Sequence, residues 1–375
     1  MSWYVNCIDS DAEDLYVNQD FTYAKLDTTR ETGFGGFSLP RSSGSQNWGL
    51  CETLLARSEA CRYQDPEQMI LLAERAVAVA EGLDPMEYGR ELAADLRARS
   101  LAELANAYRV ADDLDGAERM LRRASDWSAR GTQDPLLLAR IMRVAAAQRG
   151  AQRRFPEALA MLDAAYTIYE RHGDRSTAGA ILIGKGLYTG YSSDPETAIQ
   201  YLTAGLAMIS PARDPKLVLS AVHNLVNFLT DCGRFHEARR ILRRSKKAYF
   251  ATGDRLNLIK LRWVEGKIAF GLGERDAAET AFRDAQTRFA EVGLPYAAAL
   301  VALDLTALLL EKGETASARE LIGQTVAILR SKRIAREILA ALLLLQRSLD
   351  ADRSALGVLQ TVRTYLKRLE SRPAV

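Results

Sequence analysis

Gly233-Arg234-Phe235-His236-Glu237-Ala238-Arg239-Arg240-Ile241-Leu242 is the stretch from which the rest of the chain is read. A glycine, then an alanine opening an apolar helical pattern, marks one helix ending and another beginning. The alanine recurs at a fixed interval: Ala158, Ala198, Ala238, Ala278 and Ala318 stand forty residues apart. Each opens a similar run, as Ala158-Leu159-x-x-Leu162, Ala198-Ile199-x-x-Leu202, Ala278-x-x-Ala281-Phe282 and Ala318-x-x-Leu321-Ile322. The glycine keeps step as Gly233, Gly273 and Gly313. Repetition at this period belongs to stacked helix pairs. A stack of that kind offers a long surface to another chain rather than a preformed pocket for chemistry.

Each unit reads as helix, tight turn, helix, loop. Glycine in the left-handed conformation closes the first helix without a Cβ penalty. The loop after the second helix carries its own signal. His172-Gly173-Asp174 and Thr252-Gly253-Asp254 set a glycine beside an aspartate able to cap the next helix. Gly131 to Pro135 and Gly293-Leu294-Pro295 use a proline near the first turn instead, and Asp214-Pro215 does so without the glycine. Extending the register adds Ala117, one residue off, Met69 after a longer loop, and Ala355, three residues early. The pattern predicts an all-α array of about eight antiparallel helix pairs, over residues 48–371. Atypical units at both ends fit their role as solvent-facing caps.

Leu104-Ala105-Asn106-Ala107-Tyr108, followed by Leu114-Asp115-Gly116-Ala117 and Ala124, resembles the tetratricopeptide repeat. Leu225-Val226-Asn227 with Gly233 to Ala238, and Phe155-Pro156-Glu157-Ala158 with Ala165, fit the same pattern. The units here are longer than the roughly 34-residue standard, and Gly205, Ser245 and Thr325 replace the second alanine. Long-unit arrays of this type resemble those of bacterial regulatory and scaffold proteins. The resemblance implies a right-handed α-solenoid, a non-enzymatic protein- or peptide-binding role, and a concave surface lined by the first helix of each pair.

Carried onto this chain, the inward positions of that surface are Arg99, Asn106 and Arg109 in the second pair and Arg140 and Arg143 in the third. His223 and Asn227 follow in the fifth, and Lys260, Trp263 and Lys267 in the sixth. Helical spacing supports the grouping, since residues three, four or seven apart share a face. A cationic and amide-lined groove around an exposed tryptophan is expected. Arginine, lysine and asparagine hold carboxylates and peptide backbone well, and Trp263 would anchor an apolar side chain. The expected partner is an acidic protein or peptide. Chaperone-binding arrays, which clamp a terminal carboxylate with lysine and asparagine, are a partial match only, because His223 occupies the place of the clamp lysine.

Charge divides unevenly. The chain carries +2 overall, yet residues 1–47 hold seven acids against three bases, a net −4 that leaves +6 for the remainder. Gly33, Gly35, Gly36, Pro40 and Ser42 to Ser45 make 31–47 a linker. The segment before it is acidic but rich in aromatics (Trp3, Tyr4, Tyr16, Phe21, Tyr23), unlike purely disordered chain. Residues 1–30 are therefore a candidate for an intramolecular contact with the groove. The linker reaches roughly 20–25 Å, enough to cross a few stacked helices. In that alternative the protein is a signalling or transcription-associated regulator.

Other chemistries have weaker signals. A net charge of +2 disfavours a dedicated nucleic-acid binder, and Arg239-Arg240, Arg243-Arg244 and Lys246-Lys247 read as an exposed helix face. Gly179-Ala-Ile-Leu-Ile-Gly184-Lys185-Gly186 imitates a phosphate-binding loop. It lacks the final hydroxyl and the preceding strand, so a nucleotide-binding enzyme ranks last. Cys232 near His236 lacks an orienting third group and an oxyanion site. Three scattered histidines and four cysteines without metal-ligand spacing predict no metal, no cofactor and free thiols. No apolar run reaches the roughly 18 residues that span a bilayer, and Met1 to Ser10 does not read as a secretory signal. A cytoplasmic protein is expected.

Overall fold

The computed structural model describes residues 44–331, save 63, 64, 193, 213 and 253, together with 342, 345 and 357–362. The acidic aromatic head, the turn glycine Gly253 and the unit around Ala355 lie outside the described residues. No strand occurs among the described residues. The first helix, α1 (Gly44–Cys61), takes in the last four positions of the stretch read as linker, and α2 (Pro66–Glu81) follows it. After the single turn α3 (Pro85–Tyr88) come α4 (Arg90–Val110) with α5 (Leu114–Ser128), then α6 (Pro135–Ala151) and α7 (Phe155–Arg171). The next pairs are α8 (Arg175–Tyr191) with α9 (Pro195–Leu206), and α10 (Pro215–Asp231) with α11 (Phe235–Thr252). Last come α12 (Arg255–Gly271) with α13 (Arg275–Glu291), and α14 (Pro295–Glu311) with α15 (Thr315–Ser331). These residues form two compact bodies. One comprises 44–148 with 163–172, the other 149–162 and everything from 173 onward.

Aspartate starts many of these helices. Asp65, Asp113, Asp174, Asp194, Asp214 and Asp254 each accept a backbone N–H from the first turn, at 2.8 to 3.4 Å. Three of them precede Pro66, Pro195 and Pro215, which lose no hydrogen bond at that position. The turn inside five of the pairs is left-handed. Gly233, Gly273 and Gly313 have φ of +72°, +78° and +78°. In the earlier pairs the same place is taken by Asp112 (φ 65°) and Arg153 (φ 57°), so the geometry persists where the glycine does not.

At Gly273 an added Cβ would meet nothing within 4 Å, so the turn alone penalises a side chain. Gly273→Ala is expected to destabilise by roughly 1–2 kcal/mol. Gly49, exposed inside α1, is equally unobstructed, yet Gly49→Ala should stabilise by about 0.5–1 kcal/mol. Thermal melting of the two variants checks the pair, and shifts of the same sign would contradict it.

The registered alanines explain the packing. Ala117, Ala158, Ala198, Ala238, Ala278 and Ala318 are all 0% exposed, because a larger side chain there would hold the two helices of a pair apart. The α8–α9 pair approaches most closely through glycine. A Cβ on Gly205 would lie 2.6 Å from the Gly179 carbonyl oxygen, and one on Gly186 2.8 Å from Leu202 Cγ. Larger residues fill the core around these seams. Phe282, Phe289, Leu305 and Ile322 do so in the second body, and Met69, Leu101 and Leu137 in the first.

Candidate partner-binding wall

In the second body, α10, α12 and α14 are the first helices of successive pairs, and their register brings polar side chains into a row. His223 and Asn227 on α10 stand forty residues before Trp263 and Lys267 on α12. Lys267 Nζ donates to Asn227 Oδ1 at 3.2 Å. An ammonium group only donates, so the Asn227 amide must turn its nitrogen to the other side, where it lies 3.0 Å from His223 Nε2. That ring nitrogen then accepts, and His223 carries its proton on Nδ1, which donates to Tyr249 Oη at 3.1 Å. The neutral ring agrees with its surroundings: burial, followed by the charges of Lys260 and Lys267, pushes its pKa down to about 3.

Trp263 departs from expectation. It is not an exposed anchor but is 8% exposed, packed edge-on against Phe289 at 6.0 Å between centroids. Its indole N–H donates to Asp304 Oδ2 at 2.7 Å, and Asp304 is itself buried on α14. The Lys267 ammonium lies 4.4 Å from the indole centroid. What this wall presents to its surroundings is therefore Lys260, Lys267, Asn227 and His223, all half-buried, with the tryptophan as their support.

The first body holds the other predicted positions. Asn106 and Arg109 are buried, and Arg109 Nη2 donates to Asn106 Oδ1 at 2.9 Å. Arg99 is paired with Glu52 at 2.7 Å. Arg140 and Arg143 are half-buried; both act on the carboxyl group of Glu59, and Arg140 also on that of Glu103. Burial, then the neighbouring Glu59, pushes Glu103 up to about 8, against a hydrogen bond from Ser58 and the charges of Arg62 and Arg140. The Ser58 hydroxyl lies 3.0 Å from Glu103 Oε1. Burial likewise raises Glu59, opposed first by Arg140. These first-body positions are charge-compensated, not simply cationic. Glu103 was within reach of the sequence reading, since it stands four residues after Arg99 and three before Asn106.

A carboxyl whose pKa rises on folding stabilises the fold below its unfolded pKa and loses that contribution as pH climbs through the folded value. The window for Glu103 runs from its ordinary value of 4.5 to about 8. Glu103→Gln is therefore expected to melt progressively higher than the parent as pH rises across that window. A difference that does not change with pH would contradict the assignment.

The remaining motifs resolve locally. Gly179 to Gly186 lies inside α8, where Lys185 is 8% exposed with its ammonium 4.3 Å from the Tyr201 ring centroid. Burial, then Glu196, pushes the Cys232 thiol up to about 11, the reverse of what a nucleophile requires. No group of three or more metal-ligating side chains occurs among the described residues.

Comparison with known proteins follows the same line. Residues 218–249 match the tetratricopeptide repeat, while no curated protein matches the sequence. Among solved structures, the apo form of the quorum sensor NprR from B. thuringiensis superposes with a TM-score of 0.64 at 12% identity, covering 87% of this chain and 90% of that one. A Rap protein complexed with competence and sporulation factor gives 0.62 at 13% identity, with 87% of each chain covered. NprR in complex with its cognate peptide NprX gives 0.57 at 14%, covering 86% and 91%. The chain thus carries a tetratricopeptide repeat over 218–249, within an all-helical fold like that of these solved structures.

Proposed function

We propose that the chain is a non-enzymatic binding protein whose first-helix wall on α10 and α12 receives an extended, acidic segment of a protein or peptide. The observation that carries this reading is the registered row His223–Asn227–Lys267, held in place by the buried Trp263–Asp304 pair. Lys260 and Lys267 offer charge to carboxylates, and the Asn227 amide offers both a donor and an acceptor to peptide backbone. A rigid, pre-oriented row of this kind loses little freedom on binding. Two of the structural neighbours are complexes with a peptide or factor, which supports a ligand of that class here. No described helix is long and apolar enough to cross a membrane, and Cys51, Cys61 and Cys232 are free thiols. Both fit a place in the cytoplasm. The test is affinity capture from native extract with the full chain, followed by mapping of the captured protein. An acidic extended segment at the contact supports the reading, and a folded, basic or uncharged contact contradicts it.

The charge division favours a second, regulatory reading, in which residues 1–30 compete for this wall. Deleting residues 1–43 is then expected to tighten partner binding. Weaker binding after the deletion would place the head within the interface instead.

A further inference from the structure

In the second body, α11, α12 and α13 border a groove of about 470 Å³. None of the wall's residues lines it. Helical spacing puts Arg239, Arg243 and Lys246 on one side of α11, and Arg262 joins them from α12. The aliphatic floor is closed, with Leu242, Ile268, Ala269 and Ala281 at 1% to 6% exposed. Recognition here therefore falls to charge, and the charge does not cancel. Four lining cations stand against two lining carboxylates, Glu265 and Glu274, a surplus of two positive charges. Arg239 grips both oxygens of Glu274, one of them at 2.7 Å. Glu265 is shared, taking Lys246 at 2.8 Å and Arg262 at 3.1 Å. Arg262 also lies 3.4 Å from Asp284, but Arg288 holds that carboxylate at 2.8 Å, so the surplus stands. Arg243 makes no hydrogen bond or ion pair among the described residues, and its charge acts on Glu274.

Three properties narrow what the groove can hold. Its volume is that of a small-molecule site. Its closed floor gives an apolar ligand nothing to cover. Its two surplus charges call for a dianion, since a single carboxylate would leave one of them unmatched. A phosphate monoester carries about −1.5 to −2 near neutral pH, with three acceptor oxygens. Guanidinium groups meet such oxygens with paired N–H donors, and three of the four lining cations are arginines. A nucleic-acid strand would need the cations continued as a track across the neighbouring helices. On α13, however, Arg283 and Arg288 are already taken by Glu279 and Asp284, each at 2.8 Å.

We infer that this groove is a binding site, separate from the first-helix wall, for a small phosphorylated molecule held by its phosphate monoester. The probe is methyl phosphate, titrated calorimetrically into the full chain at low ionic strength. Methyl sulfate, of nearly the same shape with one charge fewer, is titrated beside it. Saturable binding of the phosphate is expected, about tenfold tighter than that of the sulfate and weakening with salt. Arg243→Gln should weaken it by about tenfold or more. Glu265→Gln removes a competing carboxylate and should tighten it, which loss of a merely structural ion pair would not do. Arg244→Gln, exposed on the same helix but outside the groove, should leave affinity unchanged. Circular dichroism verifies that the helices remain in each variant. Absence of saturable binding overturns the proposal, as does equal affinity for the two esters. Equal losses in Arg243→Gln and Arg244→Gln would reduce the binding to the general charge of α11 and overturn it too. A phosphoserine peptide bound more tightly than methyl phosphate would assign the groove to a modified partner chain instead.

Discussion

Replacing Trp263 with alanine is expected to lower the stability of the body that contains it by about 3–5 kcal/mol, the usual result of emptying a buried aromatic site. The side chain does three things at once. It fills the space against Phe289, gives the buried Asp304 carboxylate its indole N–H at 2.7 Å, and supports the Lys267 ammonium from below. Truncation removes all three and leaves a carboxylate short of a donor in a buried position. Trp263→Phe keeps most of the volume and loses only the N–H, so a smaller loss of about 1–3 kcal/mol is expected. Urea unfolding monitored by circular dichroism measures both. A loss below about 1 kcal/mol for Trp263→Ala, typical of surface sites, would mean that the indole faces solvent after all.

That contrast marks where the sequence stops being legible. The repeat could be read because its signal is a packing requirement. A position that is fully buried between two helices must be small, and it must recur wherever the pair recurs. The turn was legible where glycine stands and invisible at Asp112 and Arg153, where the same left-handed backbone is held by ordinary residues. Residues 218–249 match the standard repeat, and Ala158 and Ala278 occupy the same kind of seam as its Ala238.

For the wall, spacing chose residues that share a face but could not give their depth. His223 with Asn227, and Lys267 with Trp263, do lie together. Trp263 reads as an anchor until Asp304 is known to lie against it, and in sequence Asp304 only interrupts an apolar run. The arginines of the first body looked free because Glu59, on which Arg99, Arg140 and Arg143 all act, stands on α1, far from them in sequence. A carboxylate's partner on a neighbouring helix leaves no local pattern. Tyr249, which accepts the His223 Nδ1 proton, belongs to a second helix and lay outside any first-helix register.

Reversing Lys260 and Lys267 together to glutamate should weaken partner binding on the order of 100-fold, since each close charge pair in an interface contributes more than 1 kcal/mol and reversal adds repulsion. Both side chains are half-exposed, so the fold should tolerate the change. Lys267 also holds the Asn227 carbonyl oxygen, and a glutamate there would turn that amide around. Lys267→Met separates the two roles, removing the charge while keeping the reach over Trp263, and should cost about tenfold. Lys247→Glu on α11 is the control expected to change nothing at the first-helix wall. Affinity measured by titration with the captured partner decides among these, and an effect of Lys247→Glu equal to that of the double reversal would move the interface to the second helices.

The most direct measurement is hydrogen exchange of the full chain with and without its captured partner. Slowed exchange on binding is predicted in 215–231 and 255–271, the first helices that carry Asn227, Lys260 and Lys267. Protection that spares both helices would contradict the account.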